Sequence, residues 1–226
     1  MRIAIIADIH SNFLALEQVI NEIEKSNVDL KICLGDMIGY YDEPNKVIEI
    51  LREKKFVCIK GNHEKFLLKE ISYKVENSEI YGIERHKDAL TEENMEFLKK
   101  CKNYIELSWK DKRLCFCHSL KDNSETYMRN RDEILKNIDK INKYDFYFYG
   151  HSHRKFCEKI DNTVIVNPGS VGQPRDGGMP SYGIIDMKKL EVEIKTINFC
   201  VDKYTKILEC KKYDRRLIDI FNRNIQ

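Results

Sequence analysis

The order of apolar and polar residues in the N-terminal part of the chain predicts alternating strands and helices. Residues 3–7 form a short apolar run without alternation, which is typical of a strand buried on both faces. Residues 13–23 carry apolar side chains at helical spacing, and a second helix is predicted for 44–54, with a proline in its first turn. Apolar runs at 29–34 and 56–60 supply two further strands. This β-α-β-α-β order predicts parallel pairing with right-handed crossovers.

The pattern changes in the rest of the chain, where helices and antiparallel hairpins are expected. Residues 64–101 are charged and helical in pattern, which predicts a cap-like helical insertion, and a helical tail is predicted for 201–226. A helix near 129–142 leads into a strand at 145–149. The predicted strand pairs are 104–109 with 113–117, 155–160 with 163–166, and 182–186 with 190–197. Residues 167–178 are rich in turn formers and cannot be a helix or a central strand.

Length and charge limit the classes of protein that this chain can represent. Its 226 residues suffice for one well-buried domain, and no linker-like stretch divides it, so we expect a single domain over 1–226. The net charge of +2 comes from 39 basic and 37 acidic residues, which gives no electrostatic reason for specific nucleic-acid or membrane binding. No apolar run approaches the roughly 20 residues of a membrane span, and no signal peptide is recognised, so we expect a cytoplasmic protein. The sequence leaves the oligomeric state open, and a homo-oligomer is compatible with it.

Five of the six histidines lie at the ends of predicted strands. They are His10, His63, His118, His151 and His153. Two acidic residues also lie at the ends of predicted strands. Asp8 follows the first strand, and Asp36 follows the second. The carboxyl ends of strands in open α/β sheets form the crevice where ligands bind, so we expect these side chains to meet in one site. His86 lies outside the pattern and is expected on a helix surface.

The converging residues offer a mixed set of oxygen and nitrogen donors. They are Asp8, His10, Asp36, Asn62, His118, His151 and His153. Such a set suits Mn, Fe, Ni or Zn rather than Ca or Mg, which favour oxygen ligands alone. Seven donors are too many for one tetrahedral ion, so the sequence predicts two ions that share a ligand, and a carboxylate is the natural bridge. Two ions about 3.5–4 Å apart can bind a phosphoryl oxygen and acidify a water between them, which suits attack on phosphorus.

The same motifs resemble those of the calcineurin-like metallophosphoesterases. In that family's order, they are Asp8-Ile9-His10, Gly35-Asp36, Gly61-Asn62-His63-Glu64, His118 and Gly150-His151-Ser152-His153. Five motifs in one order over most of a chain are far more specific than any single motif. The resemblance implies an α/β fold, namely the four-layer α/β/β/α sandwich of two mixed sheets. It also implies a metal-dependent hydrolase that acts on phosphate esters.

The resemblance assigns roles by position. It implies Asp8, His10 and His153 as ligands of one ion, Asn62, His118 and His151 as ligands of the second, and Asp36 as the bridge. His63 is implied to face the phosphate and to protonate the leaving oxygen or stabilise its charge. A hydroxide between the ions is the implied nucleophile, without a covalent enzyme intermediate. The expected cofactors are two divalent transition-metal ions, with Mn²⁺ favoured and Fe, Ni and Zn as alternatives.

Further motifs resemble a prokaryotic subgroup of small phosphodiesterases and phosphatases. The protein Ser/Thr phosphatases of the family carry an arginine shortly after the Gly-Asp motif, and none follows Asp36 here within the next five residues. Arg175, in the turn-rich segment, is therefore our candidate for binding phosphate, since guanidinium matches two phosphoryl oxygens. The alternative for Arg175 is a solvated loop residue. Asn12 either contacts substrate or caps the first helix.

Two alternatives to a small phosphodiester or phosphomonoester hydrolase stay open. A dinucleoside polyphosphate or nucleotide hydrolase would need a basic and aromatic groove, to which Lys121, Arg129, Arg131 and Arg154 could contribute. A non-catalytic scaffold on the same fold is the other, because a eukaryotic trafficking subunit that resembles this subgroup lacks effective catalysis. The metal-binding histidines are all present here, which disfavours the scaffold. The small phosphorylated substrate itself is not specified, because the walls of the pocket determine specificity.

Overall fold

In the computed structural model, which describes residues 1–177 and 179–222, the apolar N-terminal run forms the middle strand of a five-stranded sheet. Across this sheet the order is β10 (Glu191–Thr196), β9 (Ser181–Asp186), β1 (Arg2–Ile6), β2 (Leu30–Cys33) and β3 (Val57–Cys58). β1, β2 and β3 are parallel, whereas β9 and β10 pair antiparallel. The crossovers are α1 (Phe13–Glu24) and α2 (Pro44–Glu53), so the predicted β-α-β-α-β unit is confirmed.

The second sheet also has five strands and mixed directions. Its order is β4 (Tyr104–Trp109), β5 (Lys112–Cys117), β6 (Phe146–Phe148), β8 (Thr163–Pro168) and β7 (Lys155–Ile160). The inner strands β5, β6 and β8 are parallel, and the outer strands β4 and β7 pair antiparallel with their neighbours. The carboxyl ends of the parallel strands in both sheets supply the loops that carry the predicted donor residues.

The side chains of β1 point alternately to the two faces of the first sheet, and this shows how the layers stack. Ile3 and Ile5 belong to an apolar cluster that also contains Phe116 of the second sheet, so this face lies between the sheets. Ala4 and Ile6 belong to a separate cluster with the buried faces of α1 and α2. Since successive side chains of a strand point to opposite faces, one strand contributes to both apolar layers. The predicted α/β fold, two mixed sheets with helices outside, is confirmed.

The predicted insertion and tail are both helical. Residues 62–101 contain α3 (Asn62–Leu67), a 3₁₀ turn (Val75–Asn77), α4 (Ser78–Tyr81), α5 (Ile83–Ala89) and α6 (Glu92–Lys100). The tail contains α9 (Val201–Cys210) and α10 (Arg215–Asn222), while its residues 223–226 and Gly178 of the turn-rich segment lie outside the described residues. Within the described part of the chain, no helix combines the length and the apolar character needed to cross a membrane.

One prediction about the turn-rich segment is wrong. Residues 167–178 were expected to contain no central strand, but Asn167 and Pro168 are the last residues of the inner strand β8. The pairing with β6 ends at Val166, so Pro168 lies where β8 pairs with β7 but not with β6, and its missing N–H is tolerated there.

Two predicted elements also differ from the structure. The helix expected near 129–142 is divided into α7 (Arg131–Leu135) and α8 (Ile138–Ile141). The break falls at Asn137, whose side-chain amide donates to the Glu133 carbonyl at 3.1 Å. Asparagine favours such local bonds over a continuous helix. The strand expected at 56–60 has only the two residues of β3, and the Lys60 N–H donates to Lys102 O outside the sheet.

Candidate metal centre

The predicted donor residues lie in loops that follow the parallel strands. Asp8 and His10 follow β1, Asp36 follows β2, Asn62 begins α3 after β3, His118 follows β5, and His151 and His153 follow β6. None of the seven is more than 7% exposed. Buried polar side chains are costly unless they are hydrogen-bonded or bind an ion. Their burial together is therefore the first sign of a ligand site.

Five of these residues have left-handed backbone conformations. Their φ angles are 54° for Asp8, 51° for His10, 51° for Asp36, 63° for His151 and 56° for His153. A residue other than glycine is disfavoured there by roughly 1–3 kcal/mol and persists only where its surroundings impose it. Such residues concentrate at functional sites, and here they turn the side chains of three separate loops towards one point.

The donor atoms form two groups. The first contains Asp8, His10, Asp36 and His153, and the second contains Asp36, His118 and His151, with the ligand atoms of each group within 4.8 Å of one another. Asp36 belongs to both groups. Its Oδ2 lies 3.3 Å from Nε2 of His118 and 3.6 Å from Nε2 of His10. Asn62 joins the second group, because its Oδ1 lies 2.9 Å from Nε2 of His118.

Backbone carbonyls determine how the imidazoles of the first group are oriented. Nδ1 of His10 donates to Ile38 O at 3.1 Å, and Nδ1 of His153 donates to Gln173 O at 2.8 Å. With Nδ1 protonated, neutral rings point their Nε2 lone pairs into the site. Those two Nε2 atoms lie 3.0 Å apart. A cation between them would relieve the repulsion, and a carbonyl on the other ring nitrogen is the usual support of a metal-binding histidine.

Two further donor atoms are buried without a partner. Oδ1 of Asp8 accepts the His151 backbone N–H at 3.0 Å, but Oδ2 of Asp8 has no hydrogen-bond partner. Nε2 of His151 also has none. Unsatisfied buried groups in a native structure point to an ion or a water. The residues present therefore fit divalent transition-metal ions.

Burial and charge shift the acid–base behaviour of the site. Burial lowers the pKa of His151 to about 3 and lowers that of His10 well below its usual range. Burial alone would also lower the pKa of His118, but the carboxylates of Asp36 and Asp8 outweigh it and raise the pKa to about 9. Burial would raise the pKa of Asp36, and the neighbouring histidines, His118 foremost, hold it well below its ordinary value. Asp36 is thus a carboxylate, which is the charge state that its predicted bridging role requires.

His63 lies beside the two groups rather than in either of them. Its backbone N–H donates to Oδ1 of Asp36 at 2.9 Å, and its ring centroid lies 4.8 Å from that of His10. Tyr40 and Tyr81 pack against the same ring, with centroids at 4.9 and 4.8 Å. Burial lowers the pKa of His63 to about 4, so the imidazole is neutral at pH 7. Its Nδ1 is buried without a hydrogen-bond partner.

The carboxylate of Glu64 organises the loop that carries Asp36. It accepts four backbone N–H groups, from Asp36 at 2.9 Å, Met37 at 2.8 Å, Ile38 at 3.1 Å and Gly61 at 2.7 Å. Burial raises the pKa of Glu64 to about 7, and the backbone donors act in the opposite direction. The approach at Gly61 is tight, since a Cβ atom there would lie 2.2 Å from Oδ1 of Asp36. The Gly-Asn-His-Glu motif thus also positions the shared carboxylate.

Arg175 and Asn12, the predicted substrate contacts, have different surroundings. The Arg175 guanidinium donates to Oε1 of Gln173 at 3.0 Å, and its charge helps to lower the pKa of His10 and His153. Arg175 therefore lies close enough to the cluster to act on it electrostatically. Both polar atoms of Asn12 are used within the fold, because Oδ1 caps α1 by accepting Ala15 N–H and Nδ2 donates to Gly172 O. The cap is thus present, and a substrate contact by Asn12 stays a prediction.

Two residues near the site were missed in the sequence. His86, expected on a helix surface, is only 1% exposed and bonds to the loop that follows Asp36. His86 lies three positions after Ile83, which is also buried, and residues i and i+3 share a helix face. That spacing is the sequence signal that could have predicted the burial of His86. Tyr127 is 48% exposed, and its ring centroid lies 4.5 Å from that of His151. It follows no recognised motif, so the sequence offered no signal.

The four-layer fold and the paired clusters of buried metal-binding side chains define a metal-dependent phosphoesterase. The family model described as the calcineurin-like phosphoesterase superfamily domain matches residues 1–190, and the chain belongs to that superfamily. The predicted resemblance and enzyme class are therefore confirmed.

Individual relatives cover nearly the whole chain. An uncharacterized protein of Methanocaldococcus jannaschii is 34% identical over 227 residues, which cover 92% of each chain. Phosphodiesterase YfcE of Escherichia coli is 25% identical over 202 residues, covering 85% of this chain and 91% of that one. The crystal structure of a metallophosphoesterase from Sphaerobacter thermophilus superimposes with a TM-score of 0.78 at 23% identity, covering 98% of this chain and 99% of the other. That structure supports the fold.

Proposed function

We propose that this chain hydrolyses a small phosphodiester or phosphomonoester with two divalent metal ions. The observation that carries the proposal is the position of Asp36, whose carboxylate belongs to both groups of metal-binding side chains. A shared carboxylate is the natural bridge between two ions that act together on one phosphoryl group. The similarity to phosphodiesterase YfcE, at 25% identity, supports a phosphodiester as the first substrate to test.

The two groups of donor atoms support a division of the ligands between two ions. One ion would be held by Asp8, His10, Asp36 and His153, and the other by Asp36, Asn62, His118 and His151. When bound, the ions would supply Lewis-acid stabilisation of the phosphoryl oxygens and a water of lowered pKa. Mn²⁺ is the favoured ion, with Fe, Ni and Zn as alternatives, because a mixed oxygen and nitrogen set accepts all four.

The residues beside the ions would bind the ester and handle its leaving group. His63 is a neutral imidazole held against Asp36, so its ring can donate a hydrogen bond to the leaving oxygen or, once protonated, transfer a proton to it. Arg175 adds positive charge at the same cluster, and a guanidinium can hold two phosphoryl oxygens of the substrate. Positive charge aimed at developing negative charge is a large source of rate enhancement.

The test compares bis-p-nitrophenyl phosphate with p-nitrophenyl phosphate, with Mn²⁺ added or with chelator. The variants are wild type, His63→Asn and Cys157→Ser, the last being an exposed thiol on β7 that serves as control. We expect turnover that requires metal, is unchanged in Cys157→Ser, and falls by about tenfold or more in His63→Asn, less than the full general-acid contribution because p-nitrophenolate leaves with little need of a proton. Absence of turnover of either ester by wild type with two ions bound would contradict the proposal and favour the scaffold.

A further inference from the structure

His86 is a buried histidine that the proposed reaction does not use. It lies on α5, and both of its ring nitrogens bond to the loop formed by residues 39–41. Nδ1 accepts the Gly39 N–H at 3.0 Å, and Nε2 donates to the Tyr41 carbonyl. Since a carbonyl can only accept, these two bonds fix His86 as the neutral tautomer with its proton on Nε2.

The loop that His86 holds lies directly against His63. Gly39 has a φ of 99°, and a Cβ atom at Gly39 would lie 2.0 Å from Nδ1 of His63. The Gly39 backbone therefore forms the wall beside the edge of that imidazole. Tyr40, the next residue, also has a left-handed backbone, with a φ of 59°, and its ring packs on His63. Glycine adopts such a φ readily, but Tyr40 does not, so its conformation must be imposed by support from the surrounding structure.

That support comes from helices α4 and α5. The Tyr40 N–H donates to Tyr81 O at 2.9 Å, and the Arg85 guanidinium donates to Tyr40 O at 2.8 Å. Together with the two bonds of His86, these contacts tie residues 39–41 to the helical segment. Among these contacts, the bond that the Gly39 N–H donates to Nδ1 of His86 is the one that holds Gly39 itself, the residue whose backbone lies against His63.

From this geometry we propose that His86 is a positioning residue for His63, acting through the backbone of Gly39. The inference rests on the proposed function of His63 at the leaving group. In this proposal α5, a helix outside the recognised motifs, is an anchor that sets the orientation of the His63 side chain in the candidate active site. His86 itself does not touch the substrate.

Two isosteric substitutions separate the bonds that His86 makes. In His86→Asn, Oδ1 occupies the place of Nδ1 and can still accept the Gly39 N–H, whereas the donor to Tyr41 is lost. In His86→Gln, the amide reaches the place of Nε2 and keeps the Tyr41 bond, whereas the acceptor for Gly39 is lost. Ile83→Val, which trims the other buried residue of α5, is the matched control for packing.

The first measurement is hydrogen exchange of the Gly39 amide in the metal-free protein. We expect faster exchange in His86→Gln, by about tenfold or more, and protection close to wild type in His86→Asn and Ile83→Val. Equal protection in all four proteins would overturn the inference. This measurement does not require catalysis, so it decides whether His86 holds Gly39 even if the proposed function fails.

The second measurement uses leaving groups of different basicity, with Mn²⁺ added. A misplaced His63 should slow esters of phenol, which need a proton, more than esters of p-nitrophenol. We expect His86→Gln to lose about tenfold with the phenyl ester and about twofold with the p-nitrophenyl ester, as for other residues that orient an active-site group. In a His63→Asn background, the same change should have no additional effect on the ratio of the two rates.

The outcomes separate the inference from the proposed function. Wild type that hydrolyses neither ester would contradict the proposed function. If wild type is active and His86→Gln has the same ratio of phenyl to p-nitrophenyl ester hydrolysis rates as wild type, the inference is overturned while the proposed function stands. This holds whether both rates stay unchanged or fall by the same factor. A His86→Asn variant that keeps the protection of the Gly39 amide but loses the phenyl ester rate would also count against it, because His86 would then act on His63 by a route other than Gly39.

Discussion

His10 and His153 face each other with their Nε2 atoms 3.0 Å apart, although both rings donate from Nδ1 to backbone carbonyls. In neutral rings this leaves two lone pairs in contact. The fold maintains the arrangement across 143 positions of sequence, from the loop after β1 to the loop after β6. Such a pair is stabilised by a cation that both nitrogens can bind.

The first prediction is that the protein is less stable without metal. Adding Mn²⁺ at about 100 times the dissociation constant of each site should add about 2.7 kcal/mol per ion, or about 5.4 kcal/mol for two ions, to the free energy of unfolding. For a chain of this length, two ions correspond to a rise in melting temperature of about 10–20 °C. Thermal unfolding with Mn²⁺, with Mg²⁺ and with chelator measures this. Mg²⁺ should have a smaller effect, because it prefers oxygen ligands, and identical curves would contradict a built metal site.

The second prediction concerns the shared carboxylate. Asp36→Asn keeps the size of the side chain but removes the charge that lies near both His10 and His118. We expect metal analysis to give at most one tightly bound Mn²⁺ per chain, and the hydrolysis rate to fall about 10²- to 10³-fold. Asp122→Asn, an exposed carboxylate paired with Lys140, is the control. Two tightly bound ions in Asp36→Asn would show that Asp36 does not bridge them.

The third prediction distinguishes the two interpretations of Arg175. If its guanidinium binds the phosphoryl group, Arg175→Ala should raise the KM by about 10- to 100-fold, since a hydrogen bond to a charged group contributes about 1.5–3 kcal/mol. Arg175→Lys should recover part of this, because it keeps the charge and loses the bidentate geometry. Inhibition by inorganic phosphate should weaken in parallel. Arg154→Ala, exposed and next to His153, is the control, and an unchanged KM in Arg175→Ala would identify a solvated loop arginine.

The sequence was sufficient to predict most of the fold and the group of donor residues, because both depend on local pattern. Apolar runs followed by Asp or His mark strand ends, and parallel strands bring those ends together whatever the rest of the chain does. The pairing of Asp36 with both histidine groups matches the roles implied by the family resemblance. The roles themselves stay predictions until metal and activity are measured.

What the sequence could not provide depends on contacts between distant segments. His86 is buried because α5 packs on residues 39–41. Its spacing of three from Ile83 indicates a shared helix face, but it does not indicate which distant segment that face contacts. The helix expected at 129–142 breaks where the Asn137 side chain donates to the backbone carbonyl of Glu133, a local bond that helical spacing does not reveal. The exposed ring of Tyr127 lies next to His151 because the fold brings together two segments that are distant in sequence.

The fourth prediction uses the pH dependence of His86. Burial lowers its pKa to about 4, whereas the unfolded chain has the ordinary value of about 6.5. Between these values the unfolded state binds more protons at this position, so stability falls as the pH falls from about 6.5 to about 4. The loss between pH 7 and pH 5 is about 2 kcal/mol. Arg85 and His63 favour the neutral form further, and Asp42 acts in the opposite direction.

Urea unfolding of the metal-free protein at pH 7 and pH 5 measures this effect. The other histidines titrate alike in wild type and in His86→Asn, so their effects cancel when the free energies of unfolding of the two proteins are subtracted. The difference in the free energy of unfolding should shrink by about 2 kcal/mol between pH 7 and pH 5. Ile83→Val should keep the pH slope of wild type. A difference that does not change with pH would mean that His86 takes up its proton in the folded protein as easily as in the unfolded one.

The fifth prediction is that Glu64 is essential for the stability of the loop that carries Asp36. Glu64→Gln replaces one of two accepting oxygens by an amide nitrogen, which would face backbone N–H donors and repel them. Since hydrogen bonds to a charged group contribute about 1.5–3 kcal/mol each, we expect a loss of about 3 kcal/mol and a melting temperature lower by about 6–12 °C. Glu96→Gln, on the exposed face of α6, should cost less than about 0.5 kcal/mol. If Glu64→Gln and Glu96→Gln have the same melting temperature, the four N–H bonds do not hold the loop, and Asp36 must be positioned by its own contacts and by the metal.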